Sequence, residues 1–117
     1  MHNFRELKIW KSSMVLAKKI LKLTKDFPNE ERFGLKSQIN RSCVSVASNL
    51  AEGSARTTDK EFSRFIDIAL GSAYELETQI ILASELNLFS GKVVNELVYE
   101  INKLQKMIRG FQKTLKI

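Results

Sequence analysis

Apolar residues recur at helical intervals in four separate stretches of this chain. In the first, Trp10, Met14, Ala17 and Leu21 follow at spacings of four, three and four, which puts them on one helical face, while Lys8, Lys11, Lys18, Lys22 and Lys25 fall on the other. This helix is expected to end near Asp26, because Pro28 disfavours helical geometry in Phe27 and then suits the opening of a second helix, where Asn29, Glu30 and Glu31 favour a positive helix start. The second stretch turns Leu35, Ile39, Cys43, Val46 and Leu50 inward, with Gly34 a weak point near its start and Gly53 the expected C-terminal stop. In the third, Thr58 and Glu61 have the form of a capping box, and Phe62, Ile66, Ala69, Ala73, Leu76, Ile80 and Ala83 keep a heptad rhythm. A second stripe, Phe65, Ile68, Ser72, Gln79, Leu82 and Leu86, makes this apolar surface wider than one core contact needs and suggests a partner surface. The fourth, after a loop at 87–91 with Ser90 as N-cap, carries Leu97, Ile101, Leu104, Ile108, Phe111 and Leu115.

Four helices with short connections predict an all-α fold, an antiparallel up-down-up-down four-helix bundle, since short loops force neighbours to be antiparallel. The length of 117 residues suits one domain spanning 1–117, large enough to bury a core without disulfide or metal support. One Pro and five Gly are few for a protein of loops and short strands. No apolar run reaches the length of a membrane span, and the richest, from Phe65 to Leu88, is broken by Asp67, Glu75, Glu77 and Glu85. With a single cysteine and no N-terminal signal pattern, a cytoplasmic location is expected.

Charge adds direction to this picture. The formal net charge is +6 and the isoelectric point near 9.6, a balance that favours nucleic acid or an acidic partner. The first 25 residues hold seven cations against Glu6 alone. Every charged residue between Arg64 and Lys92 is acidic, and after Glu100 the charged residues are Lys103, Lys106, Arg109, Lys113 and Lys116. The chain is basic, then acidic, then basic.

Candidate catalytic chemistry is sparse, and no enzyme activity, metal or cofactor is expected. His2 is the one histidine and sits at the terminus, where it is expected to be mobile. No Glu-x-x-His pair is available for a bundle-core di-metal site, and Cys43, on an apolar face, suits packing better than nucleophilic attack. The glycines are scattered singly, so there is no phosphate-cradling loop.

On the second helix Gln38, Arg41, Ser45, Asn49 and Glu52 form a polar stripe, and Glu75 interrupts the second stripe of the third. A carboxylate held there needs a partner, and an ion pair or hydrogen-bond network with Arg41 that fixes helix register is preferred to a ligand site. Trp10 reads as a core anchor. The lysine faces are either ordinary solvated surface or a phosphate-contact surface, whose binding would weaken steeply with salt. Because few aromatics are interleaved with the lysines, nucleic-acid binding is expected to follow shape and charge instead of sequence.

Leu7 with Trp10, Phe27-Pro28, Phe33-Gly34-Leu35, Gln38-Ile39-x-Arg41, Ser45, Ser48-Asn49, Ala51-Glu52-Gly53, Glu61-Phe62, Ala69-x-Gly71-Ser72 and Glu75-Leu76-Glu77 together resemble the small bacterial four-helix-bundle family encoded in intervening sequences of large-subunit ribosomal RNA. The match spans the first three helices. The fourth agrees only as a heptad, and Cys43 and Val46 depart mildly, in packing, from the small or proline-tolerant residues typical there. The resemblance implies a ring-like homo-oligomer, a pentamer, with a basic surface for RNA or DNA. Related accessory proteins of diversity-generating retroelements are similar in fold and add a reverse transcriptase as a possible partner. The expected function is thus a non-enzymatic, oligomeric, RNA-associated accessory or scaffold protein, with Lys8, Lys11, Lys18, Lys22, Lys25, Lys103, Lys106, Arg109 and Lys113 as candidate phosphate contacts. The alternatives are a purely structural homo-oligomer, in which basic faces meet the acidic third helix of a neighbour, and a reverse-transcriptase accessory subunit.

Overall fold

The computed structural model describes residues 1–31 and 34–117, so Phe33 of the motif above lies outside the described residues. Four helices form: α1 over Lys8–Thr24, α2 over Leu35–Ser54, α3 over Asp59–Glu85 and α4 over Gly91–Gln112. Single 3-10 turns at Phe4–Glu6 and Asn29–Glu31 precede α1 and α2. The helices pack in sequence order into an elongated antiparallel bundle of 44 × 24 × 20 Å, and α1 closes the ring against α4.

Local sequence sets most of the boundaries. Thr58 Oγ1 accepts from the Glu61 amide at 3.1 Å and opens α3, and Ser90 Oγ accepts from Val93 at 3.2 Å to open α4. Asn87, at φ 62°, takes the left-handed turn that ends α3. Phe27, buried beside the α1–α2 turn, packs edge-on to Phe89 in the α3–α4 turn with ring centroids 4.9 Å apart, which ties together the two connections at that end.

One core cluster draws on all four helices. The expected inward residues of α2, α3 and α4 are buried, save Phe111, which is half-buried. On α1 the expected face is wrong by about a quarter turn. Ile9, Ser13, Leu16, Ile20 and Thr24 point inward with Ala17 beside them, Trp10 and Leu21 lie on the flank, and Met14 is exposed. The core stripe contains two hydroxyls, which hides it from an apolar count. Each hydroxyl is satisfied: Ser13 donates to the Trp10 carbonyl at 2.8 Å, and Thr24 Oγ1 meets Asn40 Oδ1 of α2 at 2.8 Å. The lysines still face outward, directly opposite this core.

Gly53, expected as the C-terminal stop, lies one residue inside the end of α2, and without a left-handed conformation. It is helical and buried, and α2 continues through Ser54. A Cβ placed there would come within 2.6 Å of Phe65 Cβ and 2.8 Å of Phe62 Cδ1, so glycine is what lets α2 approach α3. These two helices form the most extensive pair in the bundle, and α1 with α4 the sparsest adjacent one.

Candidate nucleic-acid interface

The two basic stripes, from opposite ends of the chain, meet on adjacent helices. Lys8, Lys11, Lys18 and Lys22 are exposed on α1 and Lys25 at its C-cap, as are Lys103 and Lys106 on α4 and Lys113 just beyond it. Because α1 and α4 pack loosely, a groove of about 540 Å³ opens between them, with Lys11 on one wall and Lys103 on the other. Val15, Leu16, Leu104 and Met107 supply its apolar surface. Lys19 Nζ reaches Glu100 Oε1 at 2.8 Å across the same helix pair, and that hydrogen bond raises the Lys19 pKa above its ordinary value. Glu100, the one acid in the groove lining, is thus paired with a cation of α1. On the outer side of α1, Lys18, Lys22 and Lys25 flank a second, shallower apolar hollow of about 450 Å³.

Arg109 is not part of this face. Its guanidinium turns to α3, where Nη1 lies 3.4 Å from Asp67 Oδ1 and also donates to Gln112. Tyr99, which the apolar heptad passes over, is part of it. It is 70% exposed, lines the groove, and stands one helical turn before Lys103 and two before Lys106. Its spacing from those lysines was the available signal. Val15, 69% exposed among the α1 lysines, was missed for the same reason.

The polar stripe of α2 and Glu75 of α3 lie together only in part. Gln38, Arg41, Ser42, Ser45, Glu75 and Gln79 line a cleft of about 280 Å³ between the two helices. Ser45 Oγ and Ser72 Oγ share a hydrogen bond of 2.8 Å, and Asn49 Nδ2 donates to the Ser45 carbonyl and hydroxyl at 2.8 and 3.0 Å. The expected Arg41–Glu75 ion pair is absent from the salt bridges among the described residues; both residues line the cleft and are exposed, where an ion pair gains little over separate hydration. Glu52 is exposed and lines no part of this cleft. The buried members are Ser42 and Gln79, and Gln79 Oε1 has no partner among the described residues. Ser72 and Gln79 thus face α2, which splits the wide stripe of α3 and leaves Ile68, Leu82 and Leu86 exposed beside it.

Acidic residues of α3 are partly engaged by α4. Glu77 Oε1 accepts from Gln105 Nε2 at 2.9 Å and Asn102 Nδ2 at 3.0 Å, while Asp67 Oδ1 accepts from Gln112 Nε2 at 2.9 Å.

The sequence model described as 23S rRNA-intervening sequence protein matches residues 5–110. The chain belongs to this family. Its fold is similar to the crystal structure of a protein of unknown function from the S23 ribosomal protein family of Bacteroides thetaiotaomicron, at a TM-score of 0.84 and 24% identity, over 91% of this chain and 96% of that one. No curated protein matches.

The residues of this chain that could suggest chemistry are held in structural contacts. His2 is docked, not mobile: its amide donates to the Ser54 carbonyl at 2.9 Å, its Nε2 lies 3.1 Å from Asp59 Oδ1, and its ring sits 5.0 Å from that of Phe62. Cys43 is 2% exposed, and burial pushes its thiol up to about 11, away from the reactive thiolate. Among the described residues no three His, Cys, Asp or Glu side chains converge as a metal site, and no helix is long and apolar enough to cross a membrane.

Proposed function

We propose that this 23S rRNA-intervening sequence protein is a non-enzymatic, oligomeric, RNA-associated accessory or scaffold protein that contacts phosphates through its α1/α4 face. The carrying observation is that lysines from the two ends of the chain line opposite walls of one groove, Lys11 on α1 and Lys103 on α4. No acid lies within α1; on α4, Glu100 is paired with Lys19, and Glu96, one turn before it, is exposed and also near Lys19. A polyanion laid along this face meets cations from both helices, and its binding releases counterions.

Fluorescence polarisation with a structured RNA tests the reading. With about six lysines engaged, affinity should drop on the order of a thousandfold between roughly 50 and 200 mM salt. Lys11→Glu, Lys18→Glu and Lys103→Glu combined should abolish binding, and no binding by the wild-type chain at low salt would sink the proposal.

A second reading, a homo-oligomer without a nucleic-acid role, draws on the exposed Ile68, Leu82 and Leu86 of α3. In the version where basic faces meet the acidic helix of a neighbour, Asp59, Asp67 and Glu77 are already engaged within the chain, leaving Glu61, Glu75 and Glu85 along that helix. Light scattering across salt separates the readings. An assembly that dissolves as salt rises, in a protein that ignores RNA, favours the second.

A further inference from the structure

The α1/α4 groove has a property that a phosphate-contact surface does not require. Lysines alone would bind a duplex or a single strand through the backbone of either, and a flat cationic helix face would suffice. Here the cations stand on the walls of an apolar hollow whose volume of about 540 Å³ lies within the range of pockets that enclose small organic ligands, roughly 300–1,000 Å³. An aromatic ring, that of Tyr99, is among its lining residues. Tyr99 lies on the side of α4 opposite the core residues Leu97, Ile101 and Leu104, and it is 70% exposed. Nothing in the packing of the bundle calls for an aromatic side chain there. Among the described residues its hydroxyl makes no hydrogen bond, and its ring stacks on no other.

We infer that this groove takes an unpaired nucleobase, stacked on Tyr99 and resting against Val15 and Met107, with the adjoining phosphates between Lys11 and Lys103. The inference rests on the RNA-associated reading above and deepens it: the preferred ligand is single-stranded or looped RNA, not duplex. The physical reason is that a base inside a duplex presents only its edge, whereas stacking needs a free face. Charge and shape agree on this occupant. An acidic amphipathic peptide would satisfy the lysines and the apolar floor, but it would have no use for an outward aromatic ring flanked by cations, the combination that single-strand binding surfaces use. Base identity is left unread, because stacking tolerates every base and the uncharged polar groups of the groove are two freely rotating hydroxyls, of Ser12 and Tyr99.

The test compares a short single-stranded RNA of mixed sequence with a duplex of equal phosphate number, by fluorescence polarisation at one fixed low salt concentration. The proteins are the wild-type chain, Tyr99→Ala, Tyr99→Phe and the Lys11→Glu/Lys103→Glu double variant. Tyr99 is outward and leaves the core untouched, so its variants should fold, which circular dichroism checks. Tighter binding of the single strand by wild type is expected, with a loss of roughly 5- to 100-fold for Tyr99→Ala and near-full retention for Tyr99→Phe. Tyr99→Ala should leave duplex affinity unchanged, and the lysine double variant should weaken both ligands. If Tyr99→Ala binds the single strand as tightly as wild type does, or weakens both RNAs alike, base stacking is wrong while phosphate contact survives. If neither RNA binds at low salt, both readings fall together.

Discussion

Gly53 offers the sharpest test of how this bundle is packed. Adding one methyl group, Gly53→Ala, places a Cβ 2.6 Å from Phe65 Cβ and 2.8 Å from Phe62 Cδ1, against an ordinary contact that begins at 3.4 Å. The nearer atom is attached to the backbone and has no rotamer by which to move aside. The α2 and α3 axes must therefore separate locally by roughly 0.8 Å, at the expense of the bundle's best-packed pair. Overpacking of this kind costs about 1–3 kcal/mol. Opposing it is the helix propensity of alanine over glycine, worth at most about 1 kcal/mol and less in the last turn of α2, where Gly53 sits. The net expectation is a loss of about 1–2 kcal/mol. Gly71, in the middle of α3, is the control, since a Cβ there meets nothing within 4 Å. Gly71→Ala should keep the propensity gain and stabilise by about 0.5–1 kcal/mol. Urea unfolding at one fixed protein concentration reads both, as midpoints that move in opposite directions at an unchanged m-value, accompanied by thermal shifts of roughly 4 °C per kcal/mol. Equal or greater stability in Gly53→Ala would refute the close approach, and shifts of the same sign in both variants would refute the comparison.

The other predictions concern single groups. Asp59, which accepts from the Lys116 amide and lies against His2, has its pKa held below the usual carboxylate value of about 3.9, chiefly by the Lys116 hydrogen bond. The stability it lends is present above that usual value and is lost as pH falls through the lower folded one, so both chain ends should loosen only in strong acid. The exchange rate of the Lys116 amide in a pH series checks this, and an onset above pH 5 would contradict it. Cys43, with a pKa near 11, is roughly one part in a thousand thiolate at pH 8 and fully covered, so a disulfide reagent should label it only as fast as the bundle opens. Rapid labelling of the native protein would contradict that burial. Gln79→Leu removes a buried carbonyl oxygen that has no partner among the described residues and should be neutral or stabilising by up to about 1 kcal/mol in chemical denaturation. A loss above about 1 kcal/mol would mean that the amide is satisfied after all, for instance by another copy of the chain.

The helices of this protein were legible because their signals are local. Heptads placed the cores of α2, α3 and α4, and Thr58 and Ser90 marked two starts that the backbone obeys. Where the reading slipped, the deciding interaction was remote in sequence. The inward face of α1 includes Ser13 and Thr24, acceptable in a core because one bonds its own helix and the other reaches Asn40 of α2. Glycine at position 53 suggested a helix stop, and the helix does end one residue later, yet what requires a glycine there is Phe65 on the next helix. His2 looked free because a terminal residue usually is, and it is held by Ser54 and Asp59. Arg41 and Glu75 shared a plausible meeting place, but both are exposed there, where an ion pair gains little over separate hydration.

For the candidate interface the division is similar. By itself the sequence determined that there are four helices, that the lysines of the first and last point away from the core, and that the third is acidic with more apolar surface than one core needs. Those properties follow from periodicity and charge, which one helix expresses alone. Only the tertiary structure decided that the two lysine stripes adjoin, that Arg109 leaves them for Asp67, and that the sparse α1/α4 packing opens a groove with Tyr99 among its lining residues. Adjacency of the first and last helices is a matter of ring closure. It depends on how all four helices share one core, and no spacing within a single helix encodes it.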